Sequence, residues 1–241
     1  MTAIRRATRL ESVRYPSRMT QSKPGQDVWQ SAVRSYIKKY QYGNAVTDQL
    51  WQEVERVAPG KRFTRVAHDF TLQQGVPPIR VSTECTNGRT TLTLEQAEYT
   101  VDRPGKDPLR WHVPVAVRAP DGTQTRVVVD GTTHLSLAGC GRMPLVNAGQ
   151  KGYFRTLYTP AMFKALTQDF SKLPVVDQLG MMIDTNALSA IGLQPVADSL
   201  DLTKKLAVGG PPDLWASVAE TVEIINEMYR GHPQAQTLWR S

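Results

Sequence analysis

Leu145-Val146-Asn147-Ala148-Gly149-Gln150-Lys151-Gly152-Tyr153-Phe154-Arg155-Thr156-Leu157-Tyr158-Thr159-Pro160 divides the chain into two periodicities. Between Gln74 and Leu145 the apolar residues alternate, as half-buried strands require. Beyond Pro160 they recur every three or four residues, as amphipathic helices require. The stretch holds two glycines and ends in proline, so it reads as the turn where one kind of packing gives way to the other.

Upstream of that turn, Ile79 and Val81 alternate with Arg80 and Ser82, and Leu92 and Leu94 with Thr91 and Thr93. Trp111, Val113, Val115 and Val117 alternate with His112, Pro114 and Ala116, which predicts His112 on the outer face of its strand. Asn87-Gly88 and Asp121-Gly122 favour hairpin turns, because these residues tolerate positive φ. Val127 to Val129, Leu135 and Leu137 complete six or seven short strands, the pattern of a β-sandwich.

Helical spacing lies on both sides. Val28, Ala32, Val33, Tyr36, Ile37 and Tyr40 form one face, stopped at Gly43-Asn44. Thr47 is predicted to cap the next helix, with Leu50, Trp51, Val54 and Val57 inward. Phe63, Val66, Ala67 and Phe70 predict a third. Downstream, Met162, Phe163, Leu166 and Phe170 share a face, Val175 to Ile191 reads as a longer helix, and Leu214 to Met228 as the last. The aromatic residues Trp29, Trp51, Phe63 and Phe70 are read as core rather than as stacking platforms for bases, which need a basic groove.

The net charge of +7 belongs to one end. Residues 1–39 hold nine basic and two acidic side chains, and the remaining 202 residues hold 20 of each. A solvated basic tail explains this better than a nucleic-acid face, although an arginine-rich end can bind phosphate through charge alone. No apolar run approaches a membrane span and no signal-peptide core is visible, so no membrane contact and, by default, a cytoplasmic location are expected. Cys85 and Cys140 lie 55 residues apart in strand-like stretches and are predicted to be two buried thiols.

Three stretches, taken in order, carry a family resemblance. The first runs from Pro24-Gly25-Gln26-Asp27-Val28-Trp29 through Val33-Arg34-Ser35-Tyr36-Ile37 to Tyr42-Gly43-Asn44-Ala45, Thr47, Leu50 and Trp51. The second is Asp69-Phe70, Gln73-Gln74-Gly75-Val76-Pro77, Ile79 and Val81, and the third is Asn147 to Tyr158. They resemble the aminopeptidase N family of zinc metallopeptidases (gluzincins). The first is similar to the helix pair closing the family's catalytic domain. The second is similar to its Trp-x-x-Gln-x-Gly-x-Pro-x-Val link into a β-sandwich. The third is similar to the Asn-x-Gly-x-x-Gly-Tyr-Tyr-Arg-Val-x-Tyr run ending that sandwich. Phe70 stands where the family has Trp, and Phe154 and Thr156 where Tyr and Val are common.

The resemblance implies an α+β multidomain fold: a short helical segment, then a β-sandwich, then an α-helical, HEAT-like segment. Residues 1–24 are expected to be a basic, poorly ordered tail, and 25–75 the helical end of a peptidase-type catalytic domain. Residues 76–159 are expected to form the sandwich and 160–241 the start of a helical array. It also implies a zinc-dependent enzyme that removes N-terminal residues from peptides. Such chemistry needs a His-Glu-x-x-His helix, in which two imidazoles hold zinc and the glutamate activates water. It also needs a Gly-x-Met-Glu-Asn loop for the substrate's amine and a tyrosine for the tetrahedral intermediate.

Neither motif occurs in this sequence. The four histidines are His68, His112, His134 and His232, none four residues from another, and Tyr15 precedes Pro16 without the Lys-Gly that usually follows the catalytic tyrosine. Cys85, His112, His134 and Cys140 have no spacing that demands a metal site. No catalytic, cofactor-binding or metal-ligating residue is therefore assigned, and zinc belongs to the intact family. Arg155 is read as pairing across the seam. The expected role is a structural scaffold within a zinc aminopeptidase, inactive alone, with peptides as partners only of the intact enzyme. The alternative is a stand-alone truncated paralogue that binds a partner protein or its own copy through exposed helical faces.

Overall fold

The computed structural model describes residues 23–60, 62–97, 109–207 and 209–232. The tail expected over 1–24 lies outside these residues except for Lys23 and Pro24, which begin the first helix. Among the described residues the fold is mixed α+β, with helices, then strands, then helices.

The first three helices are α1 (Lys23–Tyr40), α2 (Thr47–Val57) and α3 (Phe63–Leu72). They close a small core of Ala32, Trp51, Val54, Phe63 and Ala67, with Trp29 packed against it. Buried Glu53 ties α1 to α2, because its carboxylate accepts hydrogen bonds from Lys39 Nζ at 3.0 Å, Arg56 Nε at 2.9 Å and Ser35 Oγ at 2.8 Å. The Lys39 bond, then those of Arg56 and Ser35, pull its pKa down to about 2. Thr47 does not cap α2. Val46 occupies the cap position and the Gln49 side chain accepts its N–H at 3.0 Å, so the capping group sits three residues inside the helix.

Seven strands follow: β1 (Pro78–Thr86), β2 (Arg89–Gln96), β3 (Val113–Arg118), β4 (Gln124–Val129), β5 (Thr132–Ala138), β6 (Leu145–Val146) and β7 (Arg155–Tyr158). They form a four-stranded sheet in the order β5-β2-β1-β7 and a three-stranded sheet in the order β4-β3-β6. Asn87 and Gly88 make the β1–β2 turn at φ 52° and 73°, as their residue types favour. Strand β7 joins β1 in parallel, with Ile79 opposite Thr156. The predicted alternation places Ile79, Val81, Leu92 and Leu94 of one sheet and Val113, Val115, Val117 and Val129 of the other in a single core.

Helices α4 (Pro160–Gln168), α5 (Val175–Ser189), α6 (Val196–Thr203) and α7 (Pro212–Met228) complete the described chain. Phe163, Phe170, Met181, Met182, Leu202 and Leu214 extend the sheets' core into these helices. Asn186 Nδ2 donates to Thr221 Oγ1 at 2.8 Å and fastens α5 to α7. No described helix is long and apolar enough to cross a membrane.

Two further sequence expectations are corrected. Cys85 and Cys140 form a disulfide, with Cα atoms 5.8 Å apart, and Cys85 is exposed. Gly139, at φ 82°, turns the chain across the β1–β2 hairpin, where its N–H donates to the Gly88 carbonyl at 3.1 Å. That turn, which spacing alone does not reveal, brings Cys140 to Cys85. His112 is buried just ahead of β3 rather than lying on an outer face, because Asp69 of α3 reaches over to meet it at 2.7 Å. Replacing both cysteines by serine removes a cross-link closing a 55-residue span. The substitution is expected to lower the unfolding free energy by about 4 kcal/mol in urea titrations, since the open chain regains the loop-closure entropy.

Candidate functional site

The loop from Asn147 to Arg155 is held by its own side chains. Asn147 is buried at φ 59°, a left-handed conformation that asparagine adopts more readily than most residues. Its Oδ1 accepts the Gly152 N–H at 2.8 Å, and its Nδ2 donates to the Gly152 carbonyl at 3.1 Å and to Gln150 Oε1 at 3.2 Å. Gly152 has no positive φ. It is required because a Cβ there would lie 2.2 Å from the buried Phe154 ring. Tyr158 closes the far side, where its hydroxyl accepts the Val146 N–H at 2.9 Å and donates to the Val146 carbonyl at 3.3 Å. Burial pushes the phenol's pKa well up, which keeps that donor protonated.

Helix α5 meets the loop with two carboxylates. Asp177 is fully buried in its first turn, where the helix dipole favours negative charge. It accepts the Gly149 N–H at 2.6 Å and Arg118 Nη2 at 3.1 Å, which ties α5 to the three-stranded sheet. Seven residues on, and therefore on the same face, Asp184 accepts the Thr156 N–H at 2.9 Å and Arg155 Nη1 at 3.1 Å. It ties α5 to β7 of the four-stranded sheet. Burial pushes the Asp184 carboxyl up, against the pull of Arg155 and the Thr156 N–H. Gly180 lies between the two carboxylates, and a Cβ there would lie 1.9 Å from the Gln150 side chain.

This arrangement binds elements of the fold together. The cavity between Tyr158, Thr156, Met181 and Asp184 is about 10 Å³, room for one water at most. A wider groove of about 360 Å³ runs between Arg80, Ser82 and Glu95 on one side and Leu193, Pro195 and Asp198 on the other. Among the described residues no three of His, Cys, Asp and Glu are grouped to hold a metal ion. Of the four residues weighed for zinc, the two cysteines are bonded to each other, His134 Nδ1 lies 3.0 Å from Thr93 Oγ1, and His112 lies between Asp69 and Asp130.

Comparison with known proteins agrees with the loop's pattern. The family model described as the ERAP1-like C-terminal domain matches residues 144–241, from the loop to the end of the chain. The chain is 28% identical over 203 residues to the puromycin-sensitive aminopeptidase of Caenorhabditis elegans, covering 80% of this chain and 21% of that protein. It is 30% identical over 211 residues to the mitochondrial aminopeptidase 2 of Saccharomyces cerevisiae, covering 87% and 22%. It is 26% identical over 223 residues to the glutamyl aminopeptidase of Bitis rhinoceros, covering 84% and 22%. The chain belongs to the aminopeptidase N family. It corresponds to a C-terminal segment of such proteins and spans only about a fifth of these relatives' length.

In this aminopeptidase N segment the sequence pointed to Asn147, Gly152 and Arg155, and the structure joins all three to the seam. It did not single out Asp177, Gly180 and Asp184. Their spacing of three and four residues was the available signal, because it puts two carboxylates and a gap on one helical face. The two glycines differ in what they tolerate. Gly152→Ala must displace a buried ring and is expected to cost about 3 kcal/mol. Gly180→Ala displaces the end of Gln150, breaks its bond to Asn147 and is expected to cost about 1 kcal/mol. Paired thermal and urea unfolding measures both, and equal losses would contradict this reading of the seam.

Proposed function

We propose that this segment is the scaffold of a zinc-dependent aminopeptidase that removes N-terminal residues from peptides, and that its own residues carry no catalytic group. On this reading 25–75 end the catalytic domain and 76–159 are a β-sandwich. Residues 160–241 then begin a HEAT-like helical array. The observation that carries the proposal is the pair Asp177 and Asp184, which fastens one helix to both sheets. A joint of that kind fixes the angle between neighbouring units, which an enzyme with its cleft between them requires. The absence of His-Glu-x-x-His and Gly-x-Met-Glu-Asn from the sequence supports a structural role.

A second reading has its own observation. Ile37, Tyr42, Val46 and Leu72 of the first helical unit are 58%, 103%, 63% and 74% exposed. Apolar side chains left uncovered favour association. A stand-alone chain would use them to bind a copy of itself or a partner protein. Light scattering on the purified chain separates the readings, since a stable dimer supports the second. Metal analysis and an aminoacyl-anilide assay on the same sample test the first. The expected result is no stoichiometric zinc and no turnover, whereas tight zinc together with turnover would refute the scaffold proposal.

A further inference from the structure

Strand β5 leaves the four-stranded sheet at Ala138, and β6 enters the three-stranded sheet at Leu145. The chain between them crosses from one sheet to the other. From Ala138 to Met143 every residue is exposed or half-buried, whereas Leu137 before it and Pro144 to Ala148 after it are buried. The crossover therefore has no buried apolar anchor of its own. It lies against the far end of β1, where Thr83 Oγ1 donates to Met143 Sδ at 4.0 Å and Cys85 is bonded to Cys140. Strand β7 pairs with β1 from Pro78 to Val81 and has ended before Thr83. The crossover thus meets β1 where that neighbouring strand has stopped.

Its start is fixed separately. The Gly139 N–H donates to the Gly88 carbonyl at 3.1 Å, and the Gly139 carbonyl accepts Thr90 Oγ1 at 2.6 Å. Beyond Cys140 the holds are slight. Gly141 has no side chain to pack, and exposed Arg142 lies near enough to Asp169 for its charge to act there, a contact that water screens. The disulfide is the covalent tie between the crossover and β1, and its Cys85 end is exposed. Neither cysteine belongs to the core that packs the two sheets together. The chain has two cysteines, so no third thiol competes for either partner when the bond opens.

We propose that the Cys85–Cys140 bond is a reducible clip: a dithiol opens it in the folded chain, and the crossover from Cys140 to Met143 then comes away from β1 while the sheets stay packed. One thiolate of the dithiol attacks Cys85 Sγ, the exposed end. The S–S bond breaks, and Cys140 Sγ leaves as a thiolate that takes a proton. The second thiol of the reagent then displaces Cys85 from the mixed disulfide. Two electrons pass to the protein, which gains two thiols, and the dithiol leaves as its own cyclic disulfide. The movement is bounded by the bonds of Gly139 on one side and by buried Pro144 on the other. Reduction leaves the end of β1 bare on the side where β7 has stopped, and an uncovered strand edge is open to pairing.

The test treats the folded full chain with dithiothreitol in the absence of denaturant. Thiol labelling, trypsin digestion with mass mapping, and hydrogen exchange are then read on the oxidised and reduced protein. Both cysteines are expected to take the label after reduction. Cleavage after Arg142 should become about tenfold faster, because proteolysis follows the population of an opened segment. Amides of the β1–β2 ladder should keep their protection, and reoxidation should restore slow cleavage. The Cys85→Ser, Cys140→Ser double variant should be cut at the fast rate with or without dithiothreitol. Cysteines that label only in denaturant, equal cleavage of the two forms, or faster cleavage accompanied by loss of β1–β2 protection would each overturn the proposal. So would a double variant cut as slowly as the oxidised chain. Should that variant fail to fold, labelling, cleavage and exchange of the wild-type chain decide by themselves.

Discussion

Two carboxylates on one face of α5 set the geometry on which the rest depends. Asp177 and Asp184 take charges out of water, which is costly unless each is paired and hydrogen-bonded. Both conditions are met by partners from elsewhere in the chain: Arg118 and the Gly149 N–H for one, Arg155 and the Thr156 N–H for the other. Moving α5 relative to either sheet would strand a buried carboxylate. The joint is therefore specified in position as well as held in contact, a distinction apolar packing alone makes poorly.

The same logic recurs where α3 meets the sheets. The apolar contacts there are ordinary, with Val66 and Phe70 entering the sheets' core. Asp69 adds position by meeting both the backbone and the ring of His112. Thus each of the two joints that bracket the sheets combines buried apolar area with a carboxylate anchored across elements. A segment built in this way fixes its helices in place against its sheets, as the proposed scaffold role requires.

Periodicity made most of the elements legible. The alternation from Trp111 to Val117 and the helical faces around Trp51, Phe163 and Leu214 all lie as expected, because burial on one side leaves a repeat in the sequence. What stayed hidden depended on long-range closure. The disulfide needed the turn at Gly139, and the burial of His112 needed a carboxylate 43 residues away. Asp177 and Asp184 do not stand out from the other polar residues of their helix in the sequence, because their partners come from three other parts of the chain. Gly152 looked like a bend, whereas its role is to leave room for Phe154.

The most direct test of the account is native-state hydrogen exchange on the wild-type chain and on the Asp177→Asn, Asp184→Asn double variant, which keeps side-chain size and removes both charges. If the carboxylates join the helices to the sheets, amides of α5, α6 and α7 lose about a hundredfold of protection, as broken buried ion pairs imply, while the β1–β2 ladder keeps its own. Equal protection of α5 in the two proteins would contradict the claim that these charges hold the structure together.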